Sequence, residues 1–308
     1  MRHNHLSRRG DLVTERDVGR LLPKPQAGVV RKPHAGVVHV ARRLNRASGM
    51  LALSVLADSA IEHYRGRFSN PAMYTPLAVS TLSILASLHG TADRRQGAHR
   101  ARDASYLLAG AAGFAGLGFH VYNVGKRPGG YRTMNNFFYA APIGAPGALA
   151  LSGLLGFAAE RVRDNRPGRM PTIFGLPAGR TLAALTSAGL MGTVGEVGLL
   201  HFRGAFHNPG MYIPVTMPPV AAGLLAGSAV APTRQMRRVT RLWLRLTALM
   251  GFAGVAFHAY GISRQMGGWR NWSQNVVDGP PLPAPPSFTG LALAGLAALH
   301  LLKDRTDG

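Results

Sequence analysis

The stretch His63-Tyr-Arg-Gly-Arg-Phe-Ser-Asn-Pro-Ala-Met-Tyr-Thr-Pro76 returns 138 residues later as His201-Phe-Arg-Gly-Ala-Phe-His-Asn-Pro-Gly-Met-Tyr-Ile-Pro214, identical at 9 of 14 positions. The same offset lays Gly113-Phe-Ala-Gly-Leu-Gly-Phe-His-Val-Tyr122 over Gly251-Phe-Ala-Gly-Val-Ala-Phe-His-Ala-Tyr260, identical at 7 of 10. It also sets Gly129-Gly-Tyr-Arg132 against Gly267-Gly-Trp-Arg270. Three gapless matches at one offset read as an internal duplication.

Around these motifs the chain alternates apolar runs with short polar connections. The runs cover 47–64, 73–91, 104–124, 143–160, 181–201, 212–231, 241–262 and 286–302. Each is near the ~20 residues that cross a ~30 Å hydrocarbon core at ~1.5 Å per residue. Charges sit between the runs and do not form the polar stripe of a soluble amphipathic bundle. The expected fold is all-α: a polytopic membrane protein with eight transmembrane helices in two tandem four-helix units. Four helices per unit insert both copies the same way up, with a pseudo-twofold axis along the membrane normal. The expected divisions are a basic cytoplasmic tail over 1–46, a first unit over 47–164, a cytoplasmic linker over 165–180 and a second unit over 181–303.

Charge sets the orientation. Of 35 Lys and Arg, 27 fall on the side of the N-terminus and 8 in the opposite loops. By the positive-inside rule both termini are cytoplasmic, in a cell inner (plasma) membrane. Residues 1–46 contain no apolar stretch and read as a cytosolic tail, not a secretory signal.

The net charge of +22 could signal nucleic acid or an anionic leaflet. Its concentration in one set of loops favours the leaflet. The expected partners are the lipid bilayer and a redox protein on the non-cytoplasmic side, with no nucleic acid. The chain has no cysteine, which excludes thiolate-held iron–sulfur clusters, c-type haem, disulfides and a thiol nucleophile. No nucleotide-binding or hydrolytic motif stands out, so enzymatic activity is left open.

Ionisable residues inside membrane helices are costly and mark function. The first run carries Asp58 and His63, matched by Glu196 and His201 in the fifth. His120 in the third is matched by His258 in the seventh, and Arg65 and Arg203 follow the first histidine of each pair. At ~1.5 Å rise per residue, His63 and His120 lie about 24 and 22 Å from the inner edge, at one level. Paired imidazoles on two helices suit haem b or a metal ion, held by His63 with His120 and by His201 with His258. Gly113 and Gly116, with Gly251 and Gly254, offer a smooth face for a macrocycle, and Arg65 and Arg203 could meet its propionates. A quinone is the third candidate. Asp58 and Glu196 are expected as a proton relay or as partners of a histidine's second nitrogen. The ridge Gly189, Gly192, Gly195 and Gly198 is expected to serve helix packing.

The function class that follows is a redox-associated membrane subunit. The alternative is a transporter or structural anchor whose histidines and carboxylates line a polar path or bond helices together.

Overall fold

A computed structural model describes residues 34–166, 169–231 and 233–303, and these are almost wholly helical. The first half holds α1 (His34–Arg65), α2 (Thr75–Ala92), α3 (Arg100–Gly125), the short α4 (Met134–Tyr139) and α5 (Gly144–Arg163). The second holds α6 (Ala178–Arg203), α7 (Ile213–Val230), α8 (Arg234–Ser263), the short α9 (Trp272–Asp278) and α10 (Pro286–Lys303). Between the halves a two-residue hairpin pairs Thr172–Ile173 with Leu176–Pro177. Its turn uses Phe174 and Gly175 at φ 51° and 76°, the left-handed pair of a type I′ turn.

Five helical segments are long and apolar enough to cross a membrane: Pro71–Ala92, Arg100–Gly125, Ala178–Arg203, Pro209–Val230 and Arg234–Ser263. Pro286–Leu302 is apolar but shorter, and neither α1 nor α5 qualifies. The expectation of eight transmembrane helices is thus met in part, and burial gives the reason. The five apolar segments bury only 22–28% of their richest window and turn leucines and aromatics such as Leu85, Leu108, Phe119 and Phe257 outward. A side chain that faces lipid must be apolar, whereas α5 is packed against other helices and keeps polar Ser152, Glu160 and Arg163 inside.

The helices from His34 onward form one compact unit. In the first half α1 packs on α2 and α5, and α3 on α5 and α2; in the second α10 packs on α6 and α8, and α7 on α6 and α8. The seam between halves is uneven. α1 runs closely against α10, where Gly290 meets the Ala47 carbonyl, while α5 and α6 share a shorter contact. One apolar core, from Leu44 and Leu51 to Leu182, Leu225, Leu244 and Leu291, spans both halves.

Two features differ from expectation. α1 starts at His34, well ahead of residue 47, because Val40, Ala41 and Leu44 are buried against the bundle. The rest of the expected tail, residues 1–33, lies outside the described residues. In the expected glycine ridge only Gly189 is tightly packed; a side-chain carbon at Gly192 or Gly195 would meet nothing. The close helix contacts lie at Gly113, Gly153 and Gly156, where such an atom would fall 2.2–2.3 Å from a neighbour.

Candidate functional site

The bundle has two ends: a histidine end, where α1, α3, α6 and α8 finish, and an arginine end opposite it.

At the histidine end, α1 closes on a turn that places Arg67 and Phe68 at φ 55° and 46°. After α6, Ala205 and Phe206 take φ 55° and 45°. Left-handed φ is uncommon outside glycine and costs about 1–3 kcal/mol per residue, so two successive instances in both halves mark a shape the surroundings enforce. The turn swings Phe68 onto Tyr74, rings stacked at 4.4 Å, and edge-on to His63 at 6.2 Å. Phe206 does the same with Tyr212 and His201 at 4.6 and 6.0 Å. Asn70 and Asn208 then cap the next turns by accepting from the Ala72 and Gly210 N–H groups.

That scaffold holds all four histidines by the same nitrogen. Nδ1 of His63 donates to the Met73 carbonyl at 2.6 Å, and Nδ1 of His201 to Met211 at 2.8 Å. Nδ1 of His258 donates to Pro281 at 2.7 Å, and His120 likewise to Pro142. A carbonyl can only accept, so Nδ1 carries the hydrogen, and in the neutral ring Nε2 is left with a lone pair. Among the described residues none of these Nε2 atoms has a hydrogen-bond partner. His63 lies within electrostatic range of His120, and His201 of His258, without ring contact.

The remaining expected site residues do other work. The glycine faces are closed: a side-chain carbon at Gly113 would stand 2.2 Å from the Ala150 nitrogen, and at Gly116 3.2 Å from Pro146. Gly251 and Gly254 are covered by Thr289 and Pro285 in the same way. No macrocycle can lie there, because α5 and α10 already do. Arg65 does not point to a free pocket; it pairs with Glu62 at 2.8 Å and donates to the Val277 carbonyl of the other half. Arg203 donates to the Phe138 carbonyl at 3.1 Å and stands over the Tyr139 ring. Each arginine therefore clasps the opposite half's short helix.

The carboxylates do not reach a histidine nitrogen, since carbonyls occupy that role. Glu196 accepts from the Gly144 N–H at 3.0 Å and so caps α5 across the seam. The position matching Gly144 is Pro283, which has no N–H, and Asp58 makes no hydrogen bond among the described residues. Asp58 lies within electrostatic range of Glu62, Glu196 and Arg65. These contacts recur at an offset of 138 up to Arg132 and of 139 from Asn136 onward, because the second half has one more residue between Arg270 and Asn275 than the first has between Arg132 and Asn136. Asn136 and Asn275 each tie down a glycine turn by donating to the Gly130 and Gly268 carbonyls, both at 2.8 Å.

The arginine end holds a cluster that sequence reasoning missed. Arg102, 1% exposed, pairs with Asp93 and with fully buried Glu160, both at 2.9 Å. Arg163, also fully buried, stands 3.8 Å from Glu160 as an ion pair without a hydrogen bond. It donates to the Gly90, Asp93 and Arg95 carbonyls and so finishes α2. Burial would raise the Asp93 carboxyl, but the Arg95 N–H, Arg102 and nearby Arg163 outweigh it and hold the group below the usual carboxylate range. Beneath this cluster Tyr106 donates to Asn45 and lies 3.3 Å from Ser87. Ser87 donates to Ser48 at 3.3 Å, Ser48 meets Ser152 at 3.2 Å, and Ser152 meets Ser83 at 3.0 Å. The available signal was the serine spacing on α2, where Ser80, Ser83 and Ser87 fall on one helical face.

No family model, curated protein or solved structure matches the chain. Among the described residues no group of three or more His, Asp or Glu could hold a metal ion.

Proposed function

We propose that the chain is a multi-pass integral membrane protein of the inner membrane whose halves are related by an approximate twofold along the membrane normal. Eight helices cross or nearly cross the bilayer, and the arginine end and both termini face the cytoplasm. Each half binds a lipid-soluble quinone or quinol at its paired histidines, near the non-cytoplasmic face, as part of a redox system.

The observation that carries this reading is the repeated Nδ1–H···O=C bond. It fixes the tautomer of four imidazoles: in the neutral ring Nε2 is then a lone-pair acceptor, the form that takes a hydrogen bond from a quinol hydroxyl and can hold its proton. Of the three ligands weighed, haem needs a flat free face and the glycine faces are covered. A metal ion needs more donors than two imidazoles, since protein metal sites take three or four ligands. A quinol needs one acceptor at each oxygen and an approach from lipid. His63 and His120 are partly exposed at the bundle surface, and so are His201 and His258. Asp58 and Glu196, deeper in the same helices, are the groups next in line to exchange protons.

The test is titration of purified protein with a short-chain benzoquinone, read by quenching of its tryptophan fluorescence, beside an optical spectrum and elemental analysis. Saturable binding whose stoichiometry halves in His63→Ala/His120→Ala and is lost when His201→Ala/His258→Ala are added supports the reading. A Soret band would move it to haem, and stoichiometric metal would move it to a metal centre. Absence of all three assigns the histidines to holding the turns, the role of a structural anchor.

A further inference from the structure

At the arginine end, the connection between α2 and α3 takes a shape that the second half does not repeat. The halves run in register there, so a copy of α8, which begins at Arg234, would start α3 at Gln96. Instead α3 begins four residues later, at Arg100. Gln96 to His99 are tied to the end of α5 and the two residues beyond it. The Gln96 side chain donates to the Asn165 carbonyl at 2.7 Å, and the Gly97 N–H to the Arg163 carbonyl at 3.3 Å. The Ala98 and His99 N–H groups donate to the carboxylates of Asp164 and Glu160 at 3.4 and 2.9 Å. Gly97 sits at φ 105°, a conformation that favours glycine. In the second half Leu299 and Lys303 replace Glu160 and Asp164, and neither side chain accepts a hydrogen bond. There Thr233 caps α8 by accepting from the Met236 N–H, whereas His99 makes no side-chain cap on α3.

The extended segment frames a cavity of about 690 Å³, inside the ~300–1,000 Å³ range of small-molecule sites. Its charges do not cancel. Arg102 and Arg163 are balanced by Asp93 and Glu160. Arg94 and Arg95, both in the cavity wall, have no side-chain partner among the described residues. His89 and His99 stand in the same wall with rings edge-on at 5.1 Å, and no ring nitrogen of either is hydrogen-bonded among the described residues. Arginines in cytoplasmic loops commonly face anionic headgroups as diffuse charge, without any site. Diffuse charge needs no fixed backbone. Here the chain forgoes a helical turn and its cap, and buries a carboxylate to hold the loop.

From this contrast we infer that the cavity binds a phosphate-bearing anion between Arg94 and Arg95, with His89 and His99 as further donors. A guanidinium matches two phosphate oxygens at once. The loop joins two helices that are long and apolar enough to cross a membrane, so the cavity opens at headgroup level. The phosphate of an anionic lipid and soluble phosphate both reach it there. The site lies at the opposite end of the bundle from the paired histidines and does not depend on what they bind.

The full chain, purified in dodecyl maltoside, is titrated by calorimetry at constant ionic strength with inorganic phosphate and with dioctanoyl phosphatidylglycerol. Dioctanoyl phosphatidylcholine is the zwitterionic control. The expected result is saturable one-to-one binding of at least one of the two anions, at least tenfold weaker in Arg94→Ala/Arg95→Ala. Binding should be unchanged in Arg234→Ala/Arg238→Ala, which removes equal charge from the arginine end of the second half. His89→Ala/His99→Ala, expected to bind at least threefold more weakly, covers the case in which the arginine variant does not fold, and circular dichroism reports folding in each. Phosphatidylglycerol bound at least tenfold more tightly than phosphate assigns the source to lipid, and any smaller ratio assigns it to the soluble ion. Three results overturn the site: binding of neither anion, equal loss in the two arginine variants, or phosphatidylcholine bound as tightly as phosphatidylglycerol.

Discussion

The arginine ends of the two halves have the same helices and opposite interiors. In the first, Arg102, Glu160, Arg163, Tyr106 and Asn45 fill the space; in the second, Thr240, Leu299, Leu302, Leu244 and Ala183 do. The histidine ends, by contrast, repeat the left-handed turns and the Nδ1 contacts. One backbone therefore accepts a charged cluster or a largely apolar filling at the same positions. Buried ion pairs seldom stabilise more than well-packed apolar residues of similar volume. What the first half keeps there is better understood as specificity or function than as a need of the fold.

The sharpest way to break this comparison is Glu160→Leu, copying Leu299. It leaves Arg102 and Arg163 buried without their shared carboxylate and should cost about 3–5 kcal/mol. Adding Arg102→Thr and Arg163→Leu, which completes the second half's set, should return most of that loss. Thermal unfolding in detergent measures both, and a neutral single variant would mean that the triad is not a unit. Gly113→Ala and Gly251→Ala probe the region where the halves agree. Each drives a methyl group into a contact of 2.2 Å, so each should cost about 1–3 kcal/mol by the same assay, and equally. Unequal losses would show that the helix contacts of the two halves have diverged as well.

Tyr106→Phe removes the hydroxyl between Asn45 and Ser87 and should destabilise by about 1–2 kcal/mol, judged by the denaturation midpoint. Acidification gives a smaller effect with a definite sign. The Asp93 carboxyl is held below its ordinary value, so its contribution is complete at neutral pH, above the unfolded-state pKa. It fades only as pH falls through the ordinary carboxylate range to the lower folded value. Asp93→Ala, which copies Ala231, should flatten that part of a melting-temperature profile between pH 6 and pH 3. The smallest effect belongs to Arg65→Ala or Arg203→Ala, where exposed arginines clasp the opposite short helix. Each should shift stability by less than about 1 kcal/mol.

How much of this was legible beforehand differs by residue. His63, His120, His201 and His258 could be found because duplication printed the same pattern twice. Their shared electrostatic range follows from helix length, a local property. The use of Arg65 and Arg203 could not be found, since their partners, Val277 and Phe138, lie in the opposite half. Glu160 is the last residue of the 143–160 apolar run, and nothing in its neighbours sets it apart. Its burial depends on how α5 sits between α1 and α3, which no window of neighbours contains. Comparing the halves for identity also hid the arginine end, because there the information lies in their differences.

Sequence by itself determined the helices, their apolar character, the motifs repeated at one offset and the net positive charge. These follow from composition and periodicity along the chain, which act over a few residues. Tertiary structure alone decided which imidazole nitrogen is tied down, which glycine faces are covered and which charges are buried. It also decided where the register of the duplication slips by one. Those depend on what stands beside each helix, and lateral packing places side chains from distant parts of the chain within a hydrogen bond of each other.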